Sequence, residues 1–159
     1  MKTLVLIMIA ILSGIASAET PEEAFEDLMD AVYEGDAAGV AGKVSSSTLS
    51  MIDFFLTMIK LRPEQVVTRF SEDLGTELTV EDLLEWEAVD FIDAVISSPG
   101  FREELPPRDE VAITHFEVNG DSCTVFLAIS GMSEPFGMEM IREGDDWKLR
   151  ENLMGGIAR

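Results

Sequence analysis

The chain has 159 residues, of which 31 are acidic and 11 basic, with one histidine and one cysteine, for a formal charge of −20. A field of that sign repels nucleic acid and anionic lipid headgroups, so neither is an expected partner. One cysteine excludes an internal disulfide, so stability must come from packing. One histidine and one cysteine are too few ligands for a zinc site, and neither a calcium loop nor a glycine-rich phosphate loop occurs, so no metal and no cofactor is expected.

Residues 1–18 read as a secretory leader. Lys2 supplies the positive end, Leu4 to Leu12 the apolar core, and Ala16-Ser17-Ala18 the A-x-A cleavage signal. The apolar run is too short to span a bilayer comfortably, and no lipoprotein cysteine follows it. The expectation is cleavage after Ala18, a periplasmic or extracellular location, and no membrane anchor afterwards. Removing 18 of 159 residues leaves 141, and the loss of Lys2 takes the charge from −20 to −21. Residues 19–159 are expected to form one α+β domain, with a helical half over 19–107 and a strand meander over 108–159. The acidic residues are scattered, as on a solvated surface.

Thr20-Pro21-Glu22-Glu23 carries the signals of a helix start, with Thr20 and Glu23 spaced for a capping box. Ala24, Phe25, Leu28, Met29, Ala31 and Val32 form its apolar stripe and Gly35 its stop. Asp36 can cap a short helix from Ala37 to about Lys43. Ser45 to Thr48 reads as a linker or cap before Leu49–Leu61, a helix apolar nearly all round. Such a helix is either central to a core or offers a greasy surface. Pro63 to Leu74 is the next helix, ended by Gly75. Thr79 caps a long one, Val80 to about Ile96, on which Asp90 and Asp93 lie side by side. Ser97 to Arg108, with four Pro or Gly residues, reads as a loop.

From Glu110 the period changes to two. Ala112, Thr114, Phe116 and Val118 alternate with Val111, Ile113 and His115, and Asn119-Gly120 suits a type I′ hairpin turn. In Ser122–Ser130 both faces are largely apolar, which predicts a central strand covered on both sides. Gly131-Met132-Ser133 can turn the chain, and Pro135 with Gly137 predicts an irregular or bulged start to the third strand. Gly144-Asp145-Asp146 turns into a last strand with Trp147 and Leu149 inward. The expected architecture is α+β, with N-terminal helices packed on a curved, cone-like, four-stranded antiparallel meander joined by three tight turns.

No catalytic constellation stands out. G-x-S-x-G is absent, Cys123 sits in strand phase with Val125 and Leu127 as a buried thiol would, and His115 reads as a structural or surface histidine. Tyr33 is expected to end the first helix with its hydroxyl near water.

Three stretches together resemble a known family: Tyr33-Glu34-Gly35-Asp36 after the first helix, Val118-Asn119-Gly120-Asp121-Ser122-Cys123-Thr124-Val125, and Ile141-Arg142-Glu143-Gly144-Asp145-Asp146-Trp147-Lys148-Leu149. This pattern is similar to that of the nuclear transport factor 2-like superfamily, in particular its small secreted bacterial members. The resemblance spans the first helix and the meander, while Leu49–Pro107 departs from it in being longer. It implies a strongly curved sheet enclosing a cone-shaped apolar pocket. Enzymes of the superfamily place carboxylates, a tyrosine or a histidine in that cone, but no such set maps onto this chain position by position.

The reading that follows is an exported, non-enzymatic domain holding an apolar small molecule or a protein partner, with Phe54, Phe55, Met58, Trp86, Phe116 and Phe126 as apolar lining. An alternative is an acid–base enzyme of the isomerase, cyclase or hydratase kind using His115 with Asp53 or Asp90. A second alternative is an envelope-associated scaffold without a small ligand, marked by an exposed Leu49–Leu61 face, and a homodimer is among the assemblies it admits.

Overall fold

The computed structural model describes residues 18–150; the expected leader up to Ser17 and the tail after Arg150 lie outside the described residues. Within them, seven helices precede a four-stranded antiparallel meander, the α+β arrangement implied by the periodicities.

Helix α1 (Pro21–Glu34) is fixed by its end chemistry. Thr20 Oγ1 accepts from the Glu23 backbone N–H at 3.2 Å, and the Glu23 carboxylate accepts from the Thr20 N–H at 2.9 Å. Gly35, at φ +75°, ends it, where a side chain would also collide with the Arg102 guanidinium. Asp36 then caps α2 (Ala37–Lys43) by accepting from the Gly39 N–H at 3.0 Å. Helix α3 (Ser46–Lys60) begins a turn earlier than Leu49 because two groups satisfy its free N–H donors. Ser45 Oγ accepts from the Thr48 N–H at 3.2 Å, and the Glu143 carboxylate, from the far end of the chain, accepts from the Ser46 N–H at 3.0 Å. Helix α4 (Pro63–Leu74) stops at Gly75, φ +63°.

The single helix expected from Val80 to Ile96 is two, α5 (Val80–Glu85) and α6 (Ala88–Ile96). Trp86 and Glu87 are extended, with ψ of 134° and 176°. Asp90 accepts from the Glu87 N–H at 2.8 Å and restarts the helix, while the Trp86 carbonyl accepts from Lys60 Nζ at 2.6 Å. The stretch expected as a loop carries α7 (Pro99–Glu104), capped by Ser98 Oγ, and a 3-10 turn at Arg108–Glu110. Pro99 sits in the first turn of α7, where a missing N–H costs nothing. Tyr33 donates its hydroxyl to the Pro106 carbonyl at 2.6 Å, which ties α1 to this connection.

Two of the capping boxes, Thr20 with Glu23 on α1 and Thr79 with Asp82 on α5, make a pH prediction. Hydrogen bonds from the Thr20 backbone and hydroxyl hold the Glu23 carboxyl below its ordinary range, and those from the Thr79 hydroxyl and backbone do the same for Asp82. Carboxyls lowered on folding stabilise the protein above their unfolded values and lose that contribution as pH falls through the folded ones. Carboxyl-carbon NMR titration should give midpoints for Glu23 and Asp82 below those in the urea-unfolded chain. Equal midpoints would mean that the boxes do not hold in solution.

The strands are β1 (Val111–Asn119), β2 (Ser122–Ile129), β3 (Phe136–Glu143) and β4 (Asp146–Leu149), ordered as in the chain. Asn119 pairs with Ser122, so the first loop is Gly120-Asp121. Of the two only Gly120 has positive φ, the pattern of a type II′ turn rather than the type I′ expected. Gly144-Asp145 repeats it between β3 and β4. The β2–β3 connection, residues 130–135, is longer than a tight turn.

The expected bulge lies elsewhere. Gly137 pairs regularly with Phe126, whereas β1 skips a residue between Ile113 and His115. That extra residue, Thr114, reverses the phase of the strand. Val111 and Ile113 therefore share a face with Phe116 and Val118, opposite Ile129, Leu127, Val125 and Cys123, and His115 moves to the other face opposite Phe126. Only the first face is buried: Cys123, Val125, Leu127, Met140, Trp147 and Leu149 join Phe25, Leu28, Ile52, Leu56 and Ile59 in one core. Strand β2 is thus inner in the sheet but covered on one side only. Its other face is screened by in-sheet neighbours, as where the Phe126 ring lies against His115 and over Gly137.

The sheet is not strongly curled, and the cone-like curvature expected for it is absent. Strong curling needs bulges or glycine kinks repeated over several long strands. Here there is one register shift, and the last strand has four residues. The helices meet the sheet chiefly at its edge, where α1 and α2 pack on β4. The Ser45 N–H donates to the Leu149 carbonyl at 2.9 Å, and Val44 forms a parallel bridge with Leu149.

Candidate functional site

The feature that packing does not account for is the outer side of α3. Its inner side places Ile52, Leu56 and Ile59 in the core at helical spacing. On its outer side, Phe54, Met58 and Leu61 follow at i, i+4 and i+7 and are 66%, 52% and 70% exposed. Leu61 belongs to this row because its backbone, at φ −71° and ψ −27°, continues the helix. Ser47, Ser50 and Thr57 fall on the same side and are exposed as well.

Beside this row lies an aromatic cluster. Phe55 meets Phe70 at 6.0 Å and Phe91 at 5.7 Å between ring centroids, and Trp86 meets the same two rings at 6.4 and 6.3 Å. Three of the four contacts are edge-to-face, the arrangement aromatic quadrupoles favour. The break between α5 and α6 places Trp86 here, and Lys60 at the end of α3 holds the Trp86 carbonyl. On the outer flank of Trp86 an open cleft of about 580 Å³ is lined by Leu78, Asp82, Asp90, Asp93 and Ser98, among others. Three of its carboxylates already serve the helices: Asp82 caps α5, Asp90 restarts α6, and Asp93 accepts from the Ser97 hydroxyl at 3.2 Å.

The six apolar lining candidates are divided among three places. Phe54 and Met58 are on the α3 surface, Phe55 and Trp86 are in the aromatic cluster, and Phe116 and Phe126 sit on opposite faces of the sheet. His115 is half-exposed on the sheet's outer face. Its ring stacks on Phe126 with centroids 4.3 Å apart, Nδ1 is 3.1 Å from Thr114 Oγ1, and Nε2 is 3.5 Å from Glu117. Asp53 is exposed on α3, and Asp90 is bound to the Glu87 backbone. These three therefore lie on three separate elements. Cys123 is 1% exposed, and burial pushes its thiol up, away from the reactive thiolate. Among the described residues there is no group of three or more His, Cys, Asp or Glu side chains placed to hold a metal ion. No helix among them is long and apolar enough to cross a membrane.

Leu61 lies within the apolar Leu49–Leu61 stretch but not among the six lining candidates, and sequence reasoning does not single out Phe70 or Phe91 for the site. The signal for Leu61 was its seven-residue spacing from Phe54. Phe70 and Phe91 carry no local signal, since only the tertiary arrangement brings four aromatic residues from different helices together.

Comparison of the chain with protein-family models, with curated proteins and with solved structures finds no match.

Proposed function

We propose that this chain is an exported, non-enzymatic interaction domain that meets a protein partner through the outer side of α3. One observation carries the reading: three large apolar side chains stand in a row in water on a helix whose other side is core. Single exposed apolar residues are ordinary, but a contiguous row is characteristic of a contact surface. A ligand held in a cone has less support, because the sheet is not strongly curled. Export rests on the leader pattern of residues 1–18. Kinship with the nuclear transport factor 2-like superfamily is proposed on the three sequence stretches that resemble it, and on those alone.

The test is native mass spectrometry of the protein gently released from its own host, beside a Phe54→Asp/Met58→Asp variant. The wild type is expected in an assembly heavier than one chain, and the variant as a bare chain with an unchanged thermal transition, because both positions are exposed. An assembly that survives the double substitution, or a wild-type chain that stays bare here and at millimolar concentration in solution, would overturn the reading.

A further inference from the structure

The partner that suits this surface follows from its charge and its spacing. Of the 15 residues of α3 only Asp53 and Lys60 are charged, and the Lys60 ammonium is engaged with the Trp86 carbonyl. The row Ser47, Ser50, Phe54, Thr57, Met58 and Leu61 carries no charge at all, on a molecule with 31 acidic residues. Two of its three hydroxyls are already bonded within the chain: the Thr57 hydroxyl donates to the Asp53 carbonyl at 2.8 Å, and the Ser47 hydroxyl is 3.0 Å from that of Ser45, so burial strands neither. A basic partner would be matched by acidic residues around such a row. A second copy of a strongly acidic chain needs the reverse, a row that itself carries no carboxylate, with the exposed Asp53 left at its margin.

The spacing is also self-complementary. When two such helices cross antiparallel with Phe54 on the two-fold axis, Ser50 falls opposite Met58 of the second copy and Ser47 opposite Leu61. Small positions thereby receive large ones, the interdigitation a packed interface requires, and each pair occurs twice, as an isologous contact demands. The ends of the row differ in sign, with the Glu143 carboxylate seated on the N-terminus of α3 and exposed Arg62 just beyond its C-terminus. An antiparallel crossing sets these opposite charges near one another and aligns the helix dipoles favourably.

We propose that the outer side of α3 is a homodimer contact, two copies packing antiparallel about Phe54. This rests on the interaction reading above and names its partner. The apolar area is small and the chains repel one another, so the dimer is weak at low salt and strengthens as salt screens the repulsion. A complex with a basic partner would respond to salt in the opposite sense.

The test uses the leader-free chain. In sedimentation equilibrium the wild type should pass from monomer to dimer between micromolar and millimolar concentration, with the midpoint falling as salt rises. Phe54→Asp should stay monomeric with an unchanged unfolding curve. Under mild oxidation Phe54→Cys should become a disulfide-linked dimer, well above an exposed control such as Ser133→Cys, because the axis brings position 54 against itself. Buried Cys123 does not compete. Ser50→Cys with Met58→Cys should cross-link more than either alone. A wild-type monomer at every concentration and salt, or Phe54→Cys no better than the control, overturns the proposal. If the host-derived protein is meanwhile found with a different chain, the interaction reading stands and only the second copy falls. A bare monomer in both experiments ends both.

Discussion

Replacing Phe25 by alanine is expected to cost about 3–5 kcal/mol, read as a shift in the urea unfolding curve. Phe25 is the largest of the fully buried side chains, at 0% exposure, and belongs to the buried stripe of α1, a helix that packs against α2 and β4. Truncation removes a ring from a close-packed interior and leaves a void that the short, glycine-containing α2 on one side and the hydrogen-bonded sheet on the other cannot both move to fill. Against a typical domain stability of about 5–15 kcal/mol, the variant would be marginal or unfolded. Phe25→Leu keeps most of the volume and should cost less than about 1.5 kcal/mol. Equal effects of the two substitutions would mean that the site collapses freely, and that α1 is not seated as described.

Trp147→Ala should be about as damaging, for a different reason. Strand β4 has only four residues, yet α1 and α2 reach the sheet through it. Trp147, 5% exposed, is the largest side chain on that strand, and its backbone N–H donates to the Glu19 carboxylate at 3.2 Å. Removing the indole takes about 3–5 kcal/mol of packing from the joint between the two layers. The chain contains two tryptophans, so the variant leaves Trp86 as the only indole reporter, within the aromatic cluster. Trp86 fluorescence should then show a transition at lower urea that coincides with loss of helical circular dichroism. A shift worth less than about 1 kcal/mol would place the joint elsewhere.

What could be read from the sequence was local. Thr20, Asp36 and Thr79 announce helices because a hydroxyl or carboxylate three residues ahead of an N–H is enough to cap it, whatever the rest of the chain does. The break at Trp86 was hidden because Val80–Ile96 suits a continuous helix. What interrupts it is tertiary, namely four aromatic rings in contact and Lys60 on the freed carbonyl. The bulge at Thr114 was hidden for a related reason: the extra residue is an ordinary strand former, and only the pairing with β2 shows that it is extra. The α3 surface was half legible. A helix apolar nearly all round announces that something must cover it, but its periodicity does not say which side the core takes. Ile52, Leu56 and Ile59 went inward, leaving Phe54, Met58 and Leu61 outside.

Both margins of the sheet are unfit for strand addition. At β4 the Val44–Ser45 segment already occupies Leu149. At β1 the extra residue puts the backbone out of step with any straight strand that might be laid along it, and Glu117 adds a charge. Fibrillar growth through edge-to-edge pairing is thereby discouraged at both ends of the meander. A chain that is crowded or briefly loosened therefore offers no ready strand edge to its neighbours.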